Sequence, residues 1–286
     1  MVASDIVVIM DFDKTIINCD SDNWVVDELG ATHLFNQLLP TMPWNSLMDT
    51  MMGKLHSQGT TIEDLEAVLK TTPIHPQSSE HSICSCFRKK HILNAMFFRC
   101  DLKSVSDANV VFIDMILKHH GLRECFSEIH TNPSFIDEEG RLRIFPLHDF
   151  SKHPHGCHHP CPPNMCKGIL IERIQASLSA MEEKKTIIYM GDGLGDFCPS
   201  SKLGDTDYML PRKDFPVWDL ICKNRSLIKA QVCEWSNGDE FEHVLLHLIT
   251  NIVAKNNTSQ LYSDCKLQTI SGAAYEAFSK TLHVPH

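Results

Sequence analysis

The sequence has few basic residues for its length. It contains 26 Lys and Arg against 36 Asp and Glu in 286 residues, which gives a formal net charge of −10 at pH 7. Nucleic-acid-binding proteins usually carry a basic patch, and anionic membrane surfaces attract basic segments. We therefore expect neither nucleic acid nor a membrane surface as a partner.

The sequence also lacks long apolar runs and a secretory signal. No apolar stretch approaches the roughly 20 residues that span a bilayer. Residues 1–5 have neither the basic start nor the cleavage site of a signal peptide. These features predict a cytoplasmic protein, in which the twelve cysteines are expected to be reduced thiols rather than disulfides.

Strand-like apolar segments alternate with helical patterns along the chain. The strand candidates are Ile6–Met10, Asp101–Val105, Ile129–Pro133, Leu142–Pro146, Thr186–Met190, Tyr208–Pro211 and Ile228–Val232. This alternation predicts an α/β fold with a doubly wound parallel sheet between helical layers. Apolar residues at three-and-four spacing between Ala31 and Thr72 predict a small helical cap inserted after the first strand.

Polar side chains follow three of the strand candidates at their carboxyl ends. They are Asp11 and Asp13 after the first, Ser106 and Asp107 after the second, and Asp192 and Asp196 after Thr186–Met190. Because parallel strands end at the same edge of a sheet, we expect these groups to face one crevice. Lys167, at the start of a predicted helix, could reach the same edge.

These residue types suit phosphoryl chemistry at a magnesium ion. Carboxylate oxygens are ligands that Mg²⁺ prefers, whereas zinc prefers Cys and His. An aspartate can act as a nucleophile, and a lysine with a hydroxyl can hold phosphoryl oxygens. Taken alone, the motif Asp11-Phe12-Asp13 has an equally good structural interpretation, in which the acids open a loop and Thr15 caps a helix.

Four motifs together resemble haloacid-dehalogenase-like phosphatases. They are Asp-Phe-Asp-Lys-Thr at 11–15, Ser106, Lys167, and Gly-Asp-Gly-Leu-Gly-Asp at 191–196. Within that superfamily the chain is similar to the phosphoethanolamine/phosphocholine phosphatases, including plant members described as inorganic pyrophosphatases. The similarity runs from Ile6 to about Leu248.

The resemblance implies a role for each motif residue. Asp11 would be the nucleophile and Asp13 the general acid and base. Magnesium would be held by Asp11, the backbone carbonyl of Asp13, and Asp192, with Asp196 supporting. Ser106 and Lys167 would bind the phosphoryl oxygens.

Two further acids match positions that contact the amino or trimethylammonium head of the substrate in the resembled group. They are Asp22 and Asp107. A cationic head close to carboxylates gains Coulomb energy in a partly dry pocket. For Asp22, a helix N-cap is an equally good interpretation.

The resemblance also implies domains and a function. The core would comprise residues 1–20 and 99–255, the cap 21–98, and a tail 256–286. The expected activity is Mg²⁺-dependent hydrolysis of a small phosphorylated substrate such as phosphoethanolamine or phosphocholine. Inorganic pyrophosphate is the alternative substrate, and a catalytically weakened metal- or phosphate-binding protein is the second alternative. The sequence predicts no oligomeric state.

One stretch departs from the family pattern. Residues 77–98 show no sustained helical period, and Ser104 stands where an apolar residue is expected. We interpret this stretch as an altered gene model or a real variant that weakens activity through a displaced Ser106.

A second stretch is rich in Cys, His and Pro. Residues 153–166 contain His153, His155, Cys157, His158, His159, Cys161 and Cys166. This density fits a structural zinc site. Because the prolines suggest an ordered loop that leads directly into Lys167, we favour a thiol-rich loop near the active site, with zinc as the alternative.

Overall fold

The computed structural model describes residues 5–74, 100–152, 154–159, 161–182 and 184–267, with side chains described up to residue 256. The irregular stretch 77–98 and most of the predicted tail lie outside these residues. The same holds for His153 of the Cys and His stretch.

A six-stranded parallel sheet forms the centre of the fold. Its strands are β1 (Ile6–Met10), β2 (Cys100–Asn109), β3 (Glu128–Asn132), β6 (Thr186–Gly191), β7 (Tyr208–Pro211) and β8 (Gln231–Val232). Their order is β3-β2-β1-β6-β7-β8, and every pairing is parallel. The predicted α/β class with a parallel sheet is confirmed. The segments β4 (Ser134–Ile136) and β5 (Leu142–Ile144) pair separately as an antiparallel hairpin.

The central position of β1 follows from its composition. All five of its residues are apolar and fully buried, as expected for a parallel strand covered on both faces. Met10 lies level with Met190 of β6, and the Asp11 amide donates to the Met190 carbonyl at 3.0 Å. The residues after β1 and β6 therefore leave the sheet side by side.

Helices lie between the strands in the chain. They are α1 (Ser21–Glu28), α2 (Thr32–Leu38), α3 (Trp44–Ser57), α4 (Ile62–Leu69), α5 (Val110–His119), α6 (Lys167–Ala180), α7 (Phe197–Ser200), α8 (Pro216–Lys223) and α9 (Gly238–Leu267). The first four follow β1, where the sequence predicts helical cap segments. The described residues up to Val244 form one compact unit, and the boundaries of a separate cap remain a prediction.

Capping residues fix where α1 and α4 begin. Asp20 is the N-cap of α1, since its side chain accepts from the Asn23 amide, so the N-cap interpretation of Asp22 is wrong. Thr61 and Asp64 form a capping box at α4. Both helices start where a short polar side chain satisfies a free backbone amide.

Polar residues occupy the first half of β2. Lys103 is buried and pairs with Asp101 at 3.2 Å and with Glu128 at 2.5 Å. Ser104 is fully buried, and its Oγ has no hydrogen-bond partner among the described residues. An unsatisfied buried hydroxyl costs about 1–3 kcal/mol. The strand therefore forms despite the departure at Ser104, with a local loss of stability.

The C-terminal part, from Leu245 onward, is assigned to a second compact unit. Its described portion is helical as far as Leu267. The helix therefore runs past residue 255, where the predicted core ends. Across the described chain, no helix combines the length and apolarity needed to cross a membrane.

Candidate active site

Three buried carboxylates meet at the carboxyl edge of the sheet. Asp11 follows β1, and Asp192 and Asp196 follow β6; one carboxylate oxygen from each lies within 4.8 Å of the others. We call these three residues the oxygen cluster. It forms because β1 and β6 are neighbours that end level with each other.

Asp196 is held by four donors of the protein. Its Oδ1 accepts from Tyr189 Oη at 2.6 Å and Lys167 Nζ at 2.9 Å. Its Oδ2 accepts from the backbone amides of Asp192 at 3.1 Å and Gly193 at 2.8 Å. Such a carboxylate is fixed in place and orients the loop that carries Asp192.

Lys167 supplies the buried positive charge of the site. It is the first residue of α6, and its Nζ contacts Asp11 Oδ2 at 2.6 Å and Asp196 Oδ1 at 2.9 Å. Burial alone would lower the pKa of Lys167, but the two carboxylates raise it well above its usual value. Lys167 is therefore a buried ammonium ion.

One ammonium does not balance the acids around it. Burial raises the pKa of Asp11 well above its usual range, opposed by Lys167 and reinforced by Asp196. Burial and repulsion from Asp196 raise the pKa of Asp192 to about 7. The oxygen cluster therefore favours the binding of a further cation or of protons.

The turn after β1 positions Asp13. Lys14 has a left-handed backbone (φ 53°), and the Asp13 carboxylate accepts from the Ser21 amide at 3.0 Å and from Ser21 Oγ at 3.2 Å. Thr15 donates to Asp192 Oδ1 at 3.3 Å, and Asp20 is the N-cap of the helix that follows, so the purely structural interpretation of this motif is wrong for Thr15.

A cavity of about 380 Å³ opens over the oxygen cluster. Its lining comprises Asp11, Asp13, Lys14, Asp20, Asp107, Cys161, Pro162, Lys167, Asp192, Gly193, Leu194 and Gly195. A second cavity of about 220 Å³ is lined by Asp13, Asp20, Asp22, Trp44, Asp107 and Ala108. The two cavities share three acids, which makes them neighbouring parts of one acidic crevice.

Asp22 lies in the second cavity with one oxygen unsatisfied. Its Oδ2 accepts from Trp44 Nε1 at 2.7 Å, whereas its buried Oδ1 has no partner among the described residues. Burial, with repulsion from Asp20, raises the pKa of Asp22 to about 8. An unpaired buried acid beside an indole ring could accept from a ligand's cationic group.

Ser106 and Asp107 lie on opposite sides of β2. Asp107 is exposed and lines both cavities. Ser106 is fully buried, accepts from the Ala108 amide at 3.3 Å, and does not belong to the lining of either cavity. The structure thus brings Asp107 to the crevice and leaves Ser106 buried outside the lining of both cavities.

Comparisons with known proteins identify the family of this chain. Residues 6–249 match the family model Putative Phosphatase. The chain belongs to this family. It is 54% identical over 266 residues to Inorganic pyrophosphatase 1 of Arabidopsis thaliana, covering 91% of this chain and 86% of that protein. It is 50% identical to Inorganic pyrophosphatase 2 of the same plant over 286 residues, covering 98% of each.

The fold is shared with solved phosphatases. A structure of phosphoserine phosphatase with a phospho-aspartyl intermediate analogue matches with a TM-score of 0.52 at 14% identity, covering 85% of this chain and 99% of that one. Together with the family match, this confirms the predicted resemblance: the chain is a hydrolase of the haloacid-dehalogenase-like phosphatase type.

Three residues of the site in this Putative Phosphatase member were not predicted. Asp20 lines both cavities and contacts Lys14 Nζ at 3.4 Å. The Tyr189 hydroxyl donates a hydrogen bond to Asp196. Arg212 donates a hydrogen bond to the Lys14 carbonyl at 2.6 Å, and its guanidinium stacks on the Phe215 ring. Asp20 had a visible signal, the polar cluster before α1. Tyr189 and Arg212 had none, because each acts through a contact distant in sequence.

Proposed function

We propose that this chain is a Mg²⁺-dependent phosphatase that hydrolyses small phosphomonoesters through an aspartyl-phosphate on Asp11. The supporting observation is the oxygen cluster, which lies beneath a cavity next to the buried ammonium of Lys167. A phosphoryl group needs both a nucleophile and compensating positive charge, and the site offers both.

The donor set fits magnesium. All three members of the oxygen cluster offer carboxylate oxygens, which are hard ligands. Since Asp196 is already occupied by four protein donors, Asp11 and Asp192 would hold the ion, with the Asp13 carbonyl as predicted from the resemblance. When bound, the ion would neutralise charge on the phosphoryl oxygens.

The protein side chains would share the remaining work. Asp11 attacks phosphorus, and the bond from phosphorus to the leaving oxygen breaks as Asp13 donates a proton to that oxygen. Asp13 then takes a proton from water, whose oxygen attacks phosphorus and releases Asp11 and phosphate. Lys167 stabilises the negative charge on the transferring group.

The second cavity supports a substrate with a cationic head. Asp22 and Asp107 face this space together with Trp44, and Asp22 has an unsatisfied oxygen. An amino or trimethylammonium group would gain Coulomb and cation–π stabilisation there. Phosphoethanolamine and phosphocholine carry such heads.

Inorganic pyrophosphate is the second candidate substrate. It is favoured by the names of the Arabidopsis relatives at 54% and 50% identity. Against it stand the acids of the second cavity, which would repel a second phosphate unless another cation intervened. Lys14 lines the first cavity and could meet that phosphate.

Phosphate release from a substrate panel tests the proposal. The panel contains phosphoethanolamine, phosphocholine and pyrophosphate, each assayed with and without Mg²⁺. We expect Mg²⁺-dependent turnover with the highest kcat/KM on a substrate with a cationic head. A preference for pyrophosphate would favour pyrophosphate as the substrate. An absence of turnover on all three compounds would favour the catalytically weakened protein.

A further inference from the structure

Four cysteine sulfur atoms converge beside the active site. Cys157, Cys161 and Cys166 come from the loop before α6, and Cys198 comes from α7. The four Sγ atoms all lie within 4.8 Å of one another. We call these residues the sulfur cluster; within the described chain it is one of two groups compact enough to hold a metal, the other being the oxygen cluster.

The distances match a tetrahedral metal thiolate site. Sγ of Cys157 lies 3.7 Å from that of Cys161 and 3.5 Å from that of Cys198. Sγ of Cys166 lies 3.8 Å from that of Cys198. Four sulfurs at about 2.3 Å from a central zinc would stand roughly 3.8 Å apart, whereas a disulfide requires about 2.05 Å.

The loop is shaped to hold this arrangement. His155 Nδ1 accepts a hydrogen bond from the Cys157 amide at 3.1 Å. On the other side of the ring, His155 Nε2 lies 3.1 Å from the Pro162 carbonyl oxygen. Because a carbonyl only accepts, Nε2 carries the proton and the ring braces both sides of the loop. The ring is thus used as a support and is not available as a ligand in this tautomer.

A glycine makes room for the fourth sulfur. A Cβ added to Gly168 would lie 2.4 Å from Cys198 Sγ. The close approach of α7 to the start of α6 therefore requires glycine at this position. The spacing of Cys157, Cys161 and Cys166 also resembles the short intervals typical of structural zinc ligands.

We propose that the sulfur cluster binds one zinc ion with four cysteine thiolates. The thiol protons are released to solvent on binding. This reverses the preference drawn from the sequence alone, because the fourth ligand comes from Cys198, outside the Cys and His stretch. Four protein ligands leave no open position, so the site is structural.

The zinc would stabilise the positions of two segments that carry active-site residues. Cys166 immediately precedes Lys167, and Cys198 lies two residues after Asp196. The ion would therefore link the start of α6 to the loop after β6, the two segments whose side chains meet in the contact from Lys167 to Asp196. Cys161 and Pro162 also line the catalytic cavity.

Metal content tests this proposal without any substrate. The full chain is purified without chelator, freed of any affinity tag, dialysed, and analysed for zinc per chain. We expect about one zinc per chain, released when a mercurial reagent blocks the thiols. Cobalt substitution should give the intense visible absorption of a tetrahedral thiolate site.

Variants assign the ligands. Cys198→Ser and Cys161→Ser should each lose most of the bound zinc. The controls Cys222→Ser, an exposed cysteine of α8, and His158→Ala, an exposed residue of the same loop, should keep it. If the ligand variants do not fold, the zinc content and cobalt spectrum of the unaltered chain still decide the question.

Three results would overturn the proposal. The first is no zinc in the unaltered chain, with all twelve cysteines titrating as free thiols. The second is a disulfide between two of these four cysteines, located by peptide mapping of the unaltered chain, which would show a covalent bond in place of a metal. The third is zinc that stays in the Cys198→Ser variant. None of these bears on the phosphatase proposal, which depends on phosphate release.

Discussion

The oxygen cluster and the sulfur cluster lie side by side at the same edge of the sheet, yet they differ in chemistry and access. Carboxylates of Asp11 and Asp192 face a cavity of about 380 Å³. The sulfur cluster has four ligands that leave no place for a substrate, and two of them, Cys166 and Cys198, are buried. The oxygen cluster is therefore accessible to a small ligand, whereas the sulfur cluster is mostly enclosed.

Residues of the two clusters lie next to each other in the same two backbone segments. Residues 166 and 167 supply a sulfur ligand and the active-site ammonium, and residues 196 and 198 supply the carboxylate that holds this ammonium and another sulfur ligand. Damage to the oxygen cluster should therefore abolish chemistry without altering metal binding by sulfur. Damage to the sulfur cluster should reach the chemistry only through position and stability.

The largest effect is expected from Asp11→Asn. Removal of the nucleophile should lower kcat by about 10⁴-fold or more, while zinc content and melting temperature stay near those of the unaltered chain. Phosphate release and zinc per chain are measured on the same preparation. Asp205→Asn, an exposed change, is the control. Undiminished hydrolysis by Asp11→Asn would contradict the proposed role.

The next largest effects are expected from two glycine substitutions, each of which should disturb only one of the clusters. A Cβ at Gly191 would lie 2.3 Å from Asp196 Cγ, and a Cβ at Gly168 would lie 2.4 Å from Cys198 Sγ. Gly191→Ala should lower kcat by roughly 10²-fold, as expected for a misplaced catalytic group, and keep zinc. Gly168→Ala should lose zinc and lower the melting temperature by about 6–12 °C, corresponding to about 3 kcal/mol.

Gly53→Ala is the matched control for this pair. An added Cβ in α3 meets only Arg141 Cδ at 3.8 Å, which is an ordinary contact. In a helix interior, alanine stabilises by about 0.5–1 kcal/mol relative to glycine. Equal zinc loss in Gly168→Ala and Gly191→Ala would show that the clusters are not separable in this way.

A smaller effect is expected from Tyr189→Phe. Tyr189 is a positioning residue, because its hydroxyl donates to Asp196 Oδ1 at 2.6 Å. Loss of this hydrogen bond to a charged group should lower kcat about tenfold and leave KM and zinc content nearly unchanged. Tyr208→Phe, a buried tyrosine of β7, is the control. A rise in KM with unchanged kcat would contradict the positioning role.

An effect of similar size, confined to one substrate, is expected on substrate choice. Asp22→Asn keeps the shape of the side chain and its contact with Trp44 but removes the carboxyl group, which a bound cationic head would ionise. We expect KM for phosphoethanolamine to rise about tenfold, with little change for pyrophosphate. Asp219→Asn in α8 serves as the control. An equal change for both substrates would contradict a head-group role for Asp22.

Those parts of the site that depend on local sequence patterns were predicted correctly from the sequence. The apolar run of β1 identifies a buried central strand, and the rule that parallel strands end at one edge brings Asp11 and Asp192 together. The assembly of the oxygen cluster follows from these two facts. Only the identity of the neighbouring strand had to come from the structure.

Other features were not predicted from the sequence, because tertiary contacts override the local sequence pattern. The sequence Ser106-Asp107-Ala108-Asn109 is typical of a turn, yet β2 continues through Asn109. The side chain of Asn132 on β3 donates to the Asp107 and Ala108 carbonyls and so extends the pairing.

The sulfur cluster shows the same limit more clearly. Its fourth member, Cys198, stands 32 residues after Cys166 and has no local metal-binding pattern. Only the packing of α7 against the start of α6, permitted by Gly168, brings it to the loop. A count of nearby Cys and His residues cannot reveal such a ligand.

The central claim is that Asp11 carries the phosphoryl group during turnover. Protein quenched with acid during hydrolysis of phosphoethanolamine, reduced with borohydride and digested, can be mapped by mass spectrometry for the site of acyl phosphate. We expect the peptide containing Asp11 to be modified at that residue, and we expect Asp11→Asn to abolish the signal. Modification at another carboxylate, or none during active turnover, would contradict it.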